Sequence, residues 1–168
     1  MARKFDVLNY TNITSTGQLN HQNLMKYDTA DMLAIENIKK LKARYFRTMD
    51  TKDWQGLHDC FTEDLVADFR DAPGIYTQGR EEYMRHLTDI LQAASTVHHG
   101  HCPEIELIDA SKATGIWAME DRVKLPGLSL QGWGHYHETY RKEHGQWRIA
   151  TTRLSRLRLM INGEEQQI

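Results

Sequence analysis

The second half of the chain contains four long strand-like runs, each separated from the next by a short turn. The runs span residues 97–108, 113–123, 131–141 and 147–159. The sequences between them, at 109–111, 125–127 and 143–145, have the Asp, Ser, Pro and Gly content of hairpin connections. Long strands joined by short turns form an antiparallel sheet. Any fold of this chain is therefore built around such a sheet.

The first half of the chain shows the period of amphipathic helices instead. A first helix is expected to begin at Asp28 or Thr29 and to end near residues 50–52. A second, shorter helix follows, and Gly79 precedes a third. A short strand over 65–69 and a turn over 71–74 separate the last two. The apolar faces are Ile35, Ile38, Leu41, Tyr45 and Met49 in the first helix, Trp54, Leu57 and Phe61 in the second, and Tyr83, Leu87, Ile90, Leu91 and Ala94 in the third.

Helices followed by a run of antiparallel strands predict an α+β fold, with the helices packed on one face of a curved sheet. Such a sheet leaves a concave, mostly apolar pocket, which is the usual place for a small-molecule site. We expect one domain over residues 28–162 and a C-terminal tail over 163–168. Residues 1–27 are polar and lack a sustained period, so we expect an N-terminal extension that is disordered alone or covers a partner subunit.

Composition argues against several classes of function. The formal charge of −2 over 168 residues argues against a nucleic-acid-binding surface. No apolar run reaches the length of about 18 residues that a membrane span needs, and no secretory signal is seen at the N-terminus. The two cysteines, Cys60 and Cys102, form no disulfide framework or zinc-binding spacing. These features predict a cytoplasmic protein.

Three of the nine histidines fall within four positions, at His98, His99 and His101. Successive residues of a strand point to opposite faces, so His99 and His101 share one face and His98 occupies the other. Two interpretations are open from the residues alone. His99 and His101 could form a metal-ligand pair, or His98 alone could be a buried acid–base group with a pKa near neutrality.

Other polar residues lie where apolar ones are expected. Tyr45 is on the apolar face of the first helix, Asp50 is at its end, and Asp121 is in the middle of a strand. Each has a structural interpretation beside a functional one, since Tyr45 can be a core residue, Asp50 a turn residue and Asp121 a solvent-facing charge. In the last strand, alternation places Arg156 and Arg158 on the face opposite Arg153. His58, His86 and His144 are expected at the surface.

Taken together, the ordered motifs of the chain resemble those of one family. They are Ala43-Arg44-Tyr45-Phe46-x-x-x-Asp50, Trp54, Phe61-Thr62-Glu63-Asp64, His98-x-Gly100-His101-x-Pro103-Glu104-Ile105, Ala113-Thr114-Gly115-x-Trp117-x-x-Glu120-Asp121-Arg122 and Gly145-Gln146-Trp147-x-Ile149. The set resembles the SnoaL-like branch of the nuclear transport factor two-like cone fold, over about residues 34–159. Within that branch it is most similar to bile-acid 7α-dehydratases, and more distantly to scytalone dehydratase and hexachlorocyclohexane dehydrochlorinase.

The resemblance implies roles for particular residues. By it, His98 abstracts a proton, Asp50 orients the imidazole and Tyr45 donates a hydrogen bond to a developing enolate. Asp121 is a candidate acid for the leaving hydroxyl, and Arg156 completes the catalytic set. Phe69, Trp133 and His99 are expected to contact substrate. The implied fold is a cone-shaped α+β barrel.

The implied function is a dehydratase-type lyase that needs no metal or organic cofactor. Its substrate would be a small, largely apolar cyclic hydroxy-ketone or a polyketide- or steroid-like molecule. An isomerase or a dehydrohalogenase with the same pair of residues is the alternative, as is a non-catalytic small-molecule-binding protein. The resemblance also implies a homo-oligomer, with a trimer favoured over a dimer.

Overall fold

Three helices pack against one face of the sheet in the computed structural model, which describes residues 28–71 and 74–167. Helix α1 spans Thr29–Thr51, α2 spans Trp54–His58 and α3 spans Arg80–Leu91. The side chains of Asp28 and Asp31 form a reciprocal capping box at the start of α1, as the sequence predicts for Asp28. Helix α1 ends where Lys52 adopts a left-handed backbone conformation. The predicted N-terminal extension over residues 1–27 lies outside the described residues.

Within the described residues, seven strands form a single sheet. They are β1 (Phe61–Asp68), β2 (Tyr76–Gln78), β3 (Ser95–Asp109), β4 (Lys112–Leu125), β5 (Leu128–Glu143), β6 (Gln146–Ile161) and β7 (Glu164–Glu165). The order across the sheet is β2-β1-β6-β5-β4-β3, with β7 paired to β6. Strands β1 and β6 run parallel to each other, and the other pairings among these seven strands are antiparallel. The α+β fold and the four long strands are thus confirmed, although the curved sheet is open between β2 and β3 and does not close into a barrel.

Several local predictions need correction. Helix α2 ends at His58, so Phe61 is the first residue of β1 and not an inward-facing helical residue. Helix α3 ends at Leu91, which leaves Ala94 in the connection to β3. The sequence did not predict β2 or β7, and β7 shows that part of the expected C-terminal tail extends the sheet. Two residues of the expected turn over 71–74, at 72 and 73, are outside the described residues.

The core lies between α1 and the concave face of the sheet. Ile38, Leu41, Tyr45 and Met49 of α1 are almost fully buried there, as the helical period predicts. Helix α1 contacts both β3 and β6, and α3 contacts β1. The last turn of α1 and the inner faces of β3 to β6 therefore converge on one region.

A bulge in β6 changes which arginines face that region. Gly134 pairs with Arg156 and Trp133 pairs with Arg158, so that Leu157 is an extra residue on β6. Leu157 is 71% exposed, and Arg158 beyond it points outwards, as Arg153 does. Only Arg156 points inwards. The prediction that Arg156 and Arg158 share a face is therefore wrong, because it assumed unbroken alternation.

Candidate active site

His98 lies on the concave face of β3. The residue is 8% exposed, whereas its neighbours Val97 and His99 are exposed on the outer face, as is His101. The alternation predicted from the sequence is therefore confirmed for this cluster. Within the described part of the chain, no group of three or more His, Cys, Asp or Glu side chains is placed to hold a metal ion.

The Asp50 carboxylate holds the ring of His98. One carboxylate oxygen, Oδ2, accepts a hydrogen bond of 2.8 Å from the backbone N–H of His98. The other, Oδ1, is 2.7 Å from ring atom Nδ1 of His98 and accepts a bond of 2.9 Å from the hydroxyl of Thr96. These bonds fix both the position and the rotation of the imidazole. They leave Nε2 as the ring nitrogen available to a ligand.

The hydrogen bonds also determine the charge of Asp50. Its burial alone raises the pKa of the carboxyl, but the bonds from the ring and backbone of His98 and from Thr96 outweigh that effect, and the pKa lies below its ordinary value. Asp50 is therefore ionised at neutral pH. An ionised acceptor at Nδ1 requires the proton of the neutral ring to be on Nδ1, so Nε2 carries a free lone pair.

His98 faces a small cavity of about 150 Å³ between the sheet and the helices. Most of its wall is apolar or aromatic, with one polar strip. The wall is formed by Tyr45, Met49, Phe69, Gly74, Ile75, Tyr83, His86, Leu87, Ile90, Leu91, His98, Asp121, Tyr136, Leu154 and Arg156. Asp50 is not part of the wall, because it lies behind His98.

Asp121 and Arg156 form a buried ion pair beside His98. Asp121 is directly opposite His98 in the pairing of β3 with β4. Two parallel hydrogen bonds join the guanidinium to the carboxylate, at 2.9 and 2.6 Å, and the two side chains are 6% and 7% exposed. The terminal nitrogen Nη1 also lies 3.6 Å from the sulfur of Met119, and Nε is buried with no partner among the described residues.

Gly132 makes this ion pair sterically feasible. Asp121 is on β4 and Arg156 is on β6, so the two side chains meet across the intervening strand β5. A Cβ atom at Gly132 would be 2.1 Å from a terminal nitrogen of Arg156 and 2.5 Å from Oδ1 of Asp121. The strand between them must therefore lack a side chain at this position.

Three phenols contribute to the cavity wall. Tyr45, Tyr83 and Tyr136 are each no more than 2% exposed, and burial raises the pKa of each phenol above its ordinary value. They stay protonated through the neutral range and can donate hydrogen bonds. Tyr45 was expected at this site, whereas Tyr136 was not.

The structure does not bring every predicted residue into the cavity. Phe69 is in the wall and stacks on Tyr83, with ring centroids 5.8 Å apart. Trp133 and His99 are outside the cavity. Trp133 is on the outer face of β5, where Cζ of Arg158 lies 5.6 Å from the centroid of its ring. His99 is exposed on β3. Conversely, His86 was expected at the surface but is partly buried in the cavity wall. Its position three residues after Tyr83 on α3 was the signal that could have found it.

Comparison with known proteins then identifies the family. A family model described as a SnoaL-like domain matches residues 30–153. The chain belongs to the SnoaL-like family. A curated relative in this comparison is the probable cyclase FGR4 of Gibberella zeae, which is 26% identical over 71% of this SnoaL-like chain and 89% of its own length.

Solved structures share the fold of this SnoaL-like chain. The Rv3472 protein of Mycobacterium tuberculosis, a protein of unknown function, is 31% identical, with a TM-score of 0.65 over 76% of this chain and 73% of its own. A protein assigned as a scytalone dehydratase from Novosphingobium aromaticivorans is 20% identical, with a TM-score of 0.70 over 82% of this chain and 92% of its own. The hexachlorocyclohexane dehydrochlorinase LinA-type3 of Novosphingobium barchaimii is 14% identical, with a TM-score of 0.70 over 84% and 99%.

The last two similarities confirm the cone-type fold, and the similarity to bile-acid dehydratases stays a prediction.

Within residues 28–71 and 74–167, no helix combines the length and the apolar character that crossing a bilayer requires.

Proposed function

We propose that this protein is a dehydratase-type lyase that abstracts a proton from carbon with His98. The observation that carries the proposal is the buried His98–Asp50 hydrogen bond of 2.7 Å, with the imidazole facing an apolar cavity. A base with a free Nε2 in an apolar site is suited to removing a proton next to a carbonyl group. A solved protein of the same fold is assigned as a scytalone dehydratase, which supports this reaction class.

The reaction has two steps. Nε2 of His98 takes a proton from the carbon between the carbonyl and the carbon that carries the hydroxyl, and the C–H electron pair moves into an enolate. The enolate oxygen accepts a hydrogen bond from Tyr45, which is protonated and lies in the cavity wall. The enolate then re-forms the carbonyl and expels the hydroxyl from the neighbouring carbon. The imidazolium of His98 returns its proton to that hydroxyl, so water leaves and a C=C bond remains.

Asp121 takes a different role from the one expected. A carboxylate that accepts two hydrogen bonds from a guanidinium is an acceptor and not a proton donor. We therefore infer that Asp121 anchors Arg156. The guanidinium of Arg156, which is in the cavity wall, then donates to a substrate oxygen.

The cavity favours the smaller substrates among those implied by the resemblance. A volume of about 150 Å³ matches a single six-membered ring, since cavities of roughly this size hold benzene. We accordingly propose a monocyclic β-hydroxy ketone, whose ring contacts the apolar wall at Phe69 and Leu154.

The matched pair His98→Gln and His99→Gln tests the assignment. The two residues are adjacent in the chain but point to opposite sides of β3. With a panel of monocyclic β-hydroxy ketones, we expect His98→Gln to lower kcat by about 10²–10⁴ and His99→Gln to leave it unchanged. Mass spectrometry of the product identifies the reaction: loss of water indicates dehydration, and an unchanged mass indicates isomerisation. Equal activity of the wild type and His98→Gln would refute the proposed base.

We also propose that the chain forms homo-oligomers through the outer face of its sheet. Val97, Ile116 and Leu157 are exposed apolar residues on that face. The trimer implied by the resemblance is tested by light scattering of the purified protein, in which a monomeric mass would overturn it.

A further inference from the structure

Lys42 lies inside the core, although lysine is among the residues least often buried. It is on α1, one turn before Tyr45, and its side chain is fully buried. Its ammonium donates a hydrogen bond of 2.5 Å to Oε1 of Glu138 on β5, and the Glu138 side chain is fully buried as well. Neither residue is part of the cavity wall. The proposed reaction therefore does not use either of them directly.

Glu138 is held by more than Lys42. Its second oxygen accepts a hydrogen bond of 2.6 Å from the hydroxyl of Tyr140, and Oε1 accepts one of 3.2 Å from Thr152. The hydroxyl of Tyr140 in turn accepts a bond of 2.8 Å from the indole N–H of Trp117. Glu138 is thus a fixed and satisfied counter-ion, and its position determines where the ammonium of Lys42 lies.

The ammonium lies over the faces of two of the cavity phenols. The Nζ atom of Lys42 is 4.0 Å from the ring centroid of Tyr45 and 3.7 Å from that of Tyr136. The ring of Phe46 is 4.8 Å away. These distances are well inside the range of about 6 Å for an attractive cation–π contact. Tyr45 and Tyr136 separate the charge from the cavity, so Lys42 can act on a ligand only through their rings.

We propose that Lys42, fixed by Glu138, is a positioning residue that holds Tyr45 and Tyr136 together and strengthens both phenols as hydrogen-bond donors to an oxyanion in the cavity. A cation over the ring face withdraws electron density from the phenol, so its O–H becomes a better donor. No solvent reaches the ammonium to screen its charge, and Nζ is nearer to the two phenol rings than the usual limit of a cation–π contact. The proposal deepens the function proposed above, on which it rests, and adds Tyr136 to the oxyanion site.

The energetics of buried ion pairs support a functional interpretation. Replacing such a pair by well-packed neutral side chains is often neutral or stabilising, because both charges lose hydration on burial. A core that needed only to be filled would therefore gain little from a lysine and a glutamate. The position of the pair directly behind two cavity phenols supplies a reason to keep it.

The test measures binding of 4-nitrophenol, whose phenolate resembles an enolate and has its own visible absorbance. Below the pKa of the free probe, we expect the wild type to bind it as the phenolate, with its proton taken by His98. The Lys42→Met/Glu138→Gln variant, which removes both charges together, should bind it about tenfold more weakly, the size expected for a desolvated cation–π contact. Its bound probe should absorb as the neutral phenol.

Matched variants separate a functional role from a structural one. Glu36 and Lys39 form an exposed ion pair on the same helix, at 2.6 Å, so Glu36→Gln/Lys39→Met removes the same charges and should leave the affinity and the absorbance unchanged. Tyr45→Phe and Tyr136→Phe should each weaken phenolate binding. Lys42→Gln/Glu138→Gln, in which the two side chains can still hydrogen-bond to each other, serves if the first pair variant does not fold.

The two proposals fail in different ways. Unchanged phenolate affinity and absorbance in a folded pair variant would overturn the role of Lys42, as would the absence of bound phenolate in the wild type. Loss of the proposed lyase activity as such would appear in the His98→Gln experiment instead. Probe binding requires no turnover, so it reports on the oxyanion site alone.

Discussion

Replacing Asp50 by asparagine reverses the hydrogen-bonding pattern that holds His98. The backbone N–H of His98 donates to Oδ2 of Asp50 at 2.8 Å. A backbone N–H group can only donate, so the oxygen of the introduced carboxamide must face it. The NH₂ group then faces Nδ1 of the ring, where Oδ1 accepts at 2.7 Å in the wild type. An NH₂ group can only donate, so Nδ1 must give up its proton and accept.

The expected consequence is the wrong tautomer at the cavity. With Nδ1 as the acceptor, the proton of the neutral ring is on Nε2, which can no longer take a proton from a substrate. The corresponding Asp→Asn change in the serine protease triad lowers kcat by about 10⁴ through the same tautomer reversal. We expect Asp50→Asn to lower the proposed activity by about 10³–10⁴.

The same change costs stability. The carboxylate accepts three hydrogen bonds, from the backbone and ring of His98 and from Thr96. Bonds to a charged group contribute about 1.5–3 kcal/mol and neutral ones about 1 kcal/mol. Asp50 is 22% exposed, so solvent weakens part of the difference between charged and neutral hydrogen bonds. The free energy of unfolding should therefore fall by about 2 kcal/mol.

Nitrogen-15 NMR of labelled histidine measures the tautomer without any substrate. We expect protonated Nδ1 for His98 in the wild type and protonated Nε2 in Asp50→Asn. Asp53→Asn is a matched control, since Asp53 caps α2 by accepting from the N–H of Gly56 at 2.9 Å and asparagine caps helices equally well. The same tautomer in wild type and Asp50→Asn would refute the argument.

The stability difference should depend on pH. The folded-state pKa of Asp50 is below its ordinary value, so its carboxylate stabilises the fold fully above the unfolded-state pKa of about 4. This contribution is lost as the pH falls through the folded-state value. Urea denaturation should show that the gap between wild type and Asp50→Asn becomes smaller as the pH falls below about 4. An unchanged gap at the acid end would contradict this assignment of charge.

Three further predictions concern other parts of the molecule. Gly132→Ala should displace Arg156, because the added Cβ would be 2.1 Å from the guanidinium. The free energy of unfolding should fall by about 1–3 kcal/mol. A urea denaturation curve that matches the wild type would contradict this prediction. The exposed Cys102 should react with a thiol reagent in the native protein, whereas Cys60, whose pKa burial raises to about 11, should react only after denaturation. Lys42→Met alone should destabilise the fold by about 3–5 kcal/mol by leaving a buried carboxylate unpaired, and calorimetry should show the loss partly recovered when Glu138→Gln is added.

Local periodicity was enough to predict the α+β fold and the side of the sheet that His98 faces, whereas the choice of His98 as the base came from the family resemblance. The four long strands were identified by composition and turns, and the face of His98 follows from alternation alone. Asp50 was placed at the end of α1 by the helical period, and the structure adds that its carboxylate reaches His98.

Other features depend on contacts that no local pattern encodes. Trp133 and Arg158 point away from the cavity because of one extra residue in β6, and a bulge leaves little trace in composition. Lys42 and Glu138 are 96 residues apart in the chain, so each looks like a solvated charge until the fold brings them together. Lys42 follows Leu41 and is buried on the apolar face of α1, where most of the apolar residues predicted from the sequence are buried as well.

The residues proposed to carry out the chemistry and the apolar residues that shape the cavity come largely from different elements of the fold. The polar groups come from the inner faces of β3, β4 and β6, held by the sheet register and by Gly132. Much of the apolar wall comes instead from α3 and the segment between β1 and β2, including Leu87, Ile90 and Ile75. Substitutions there change the shape of the cavity without moving His98, Asp50 or Arg156. Substrate range can therefore diverge within such a fold while the proton-transfer geometry stays fixed, which is why fold similarity alone does not identify the substrate.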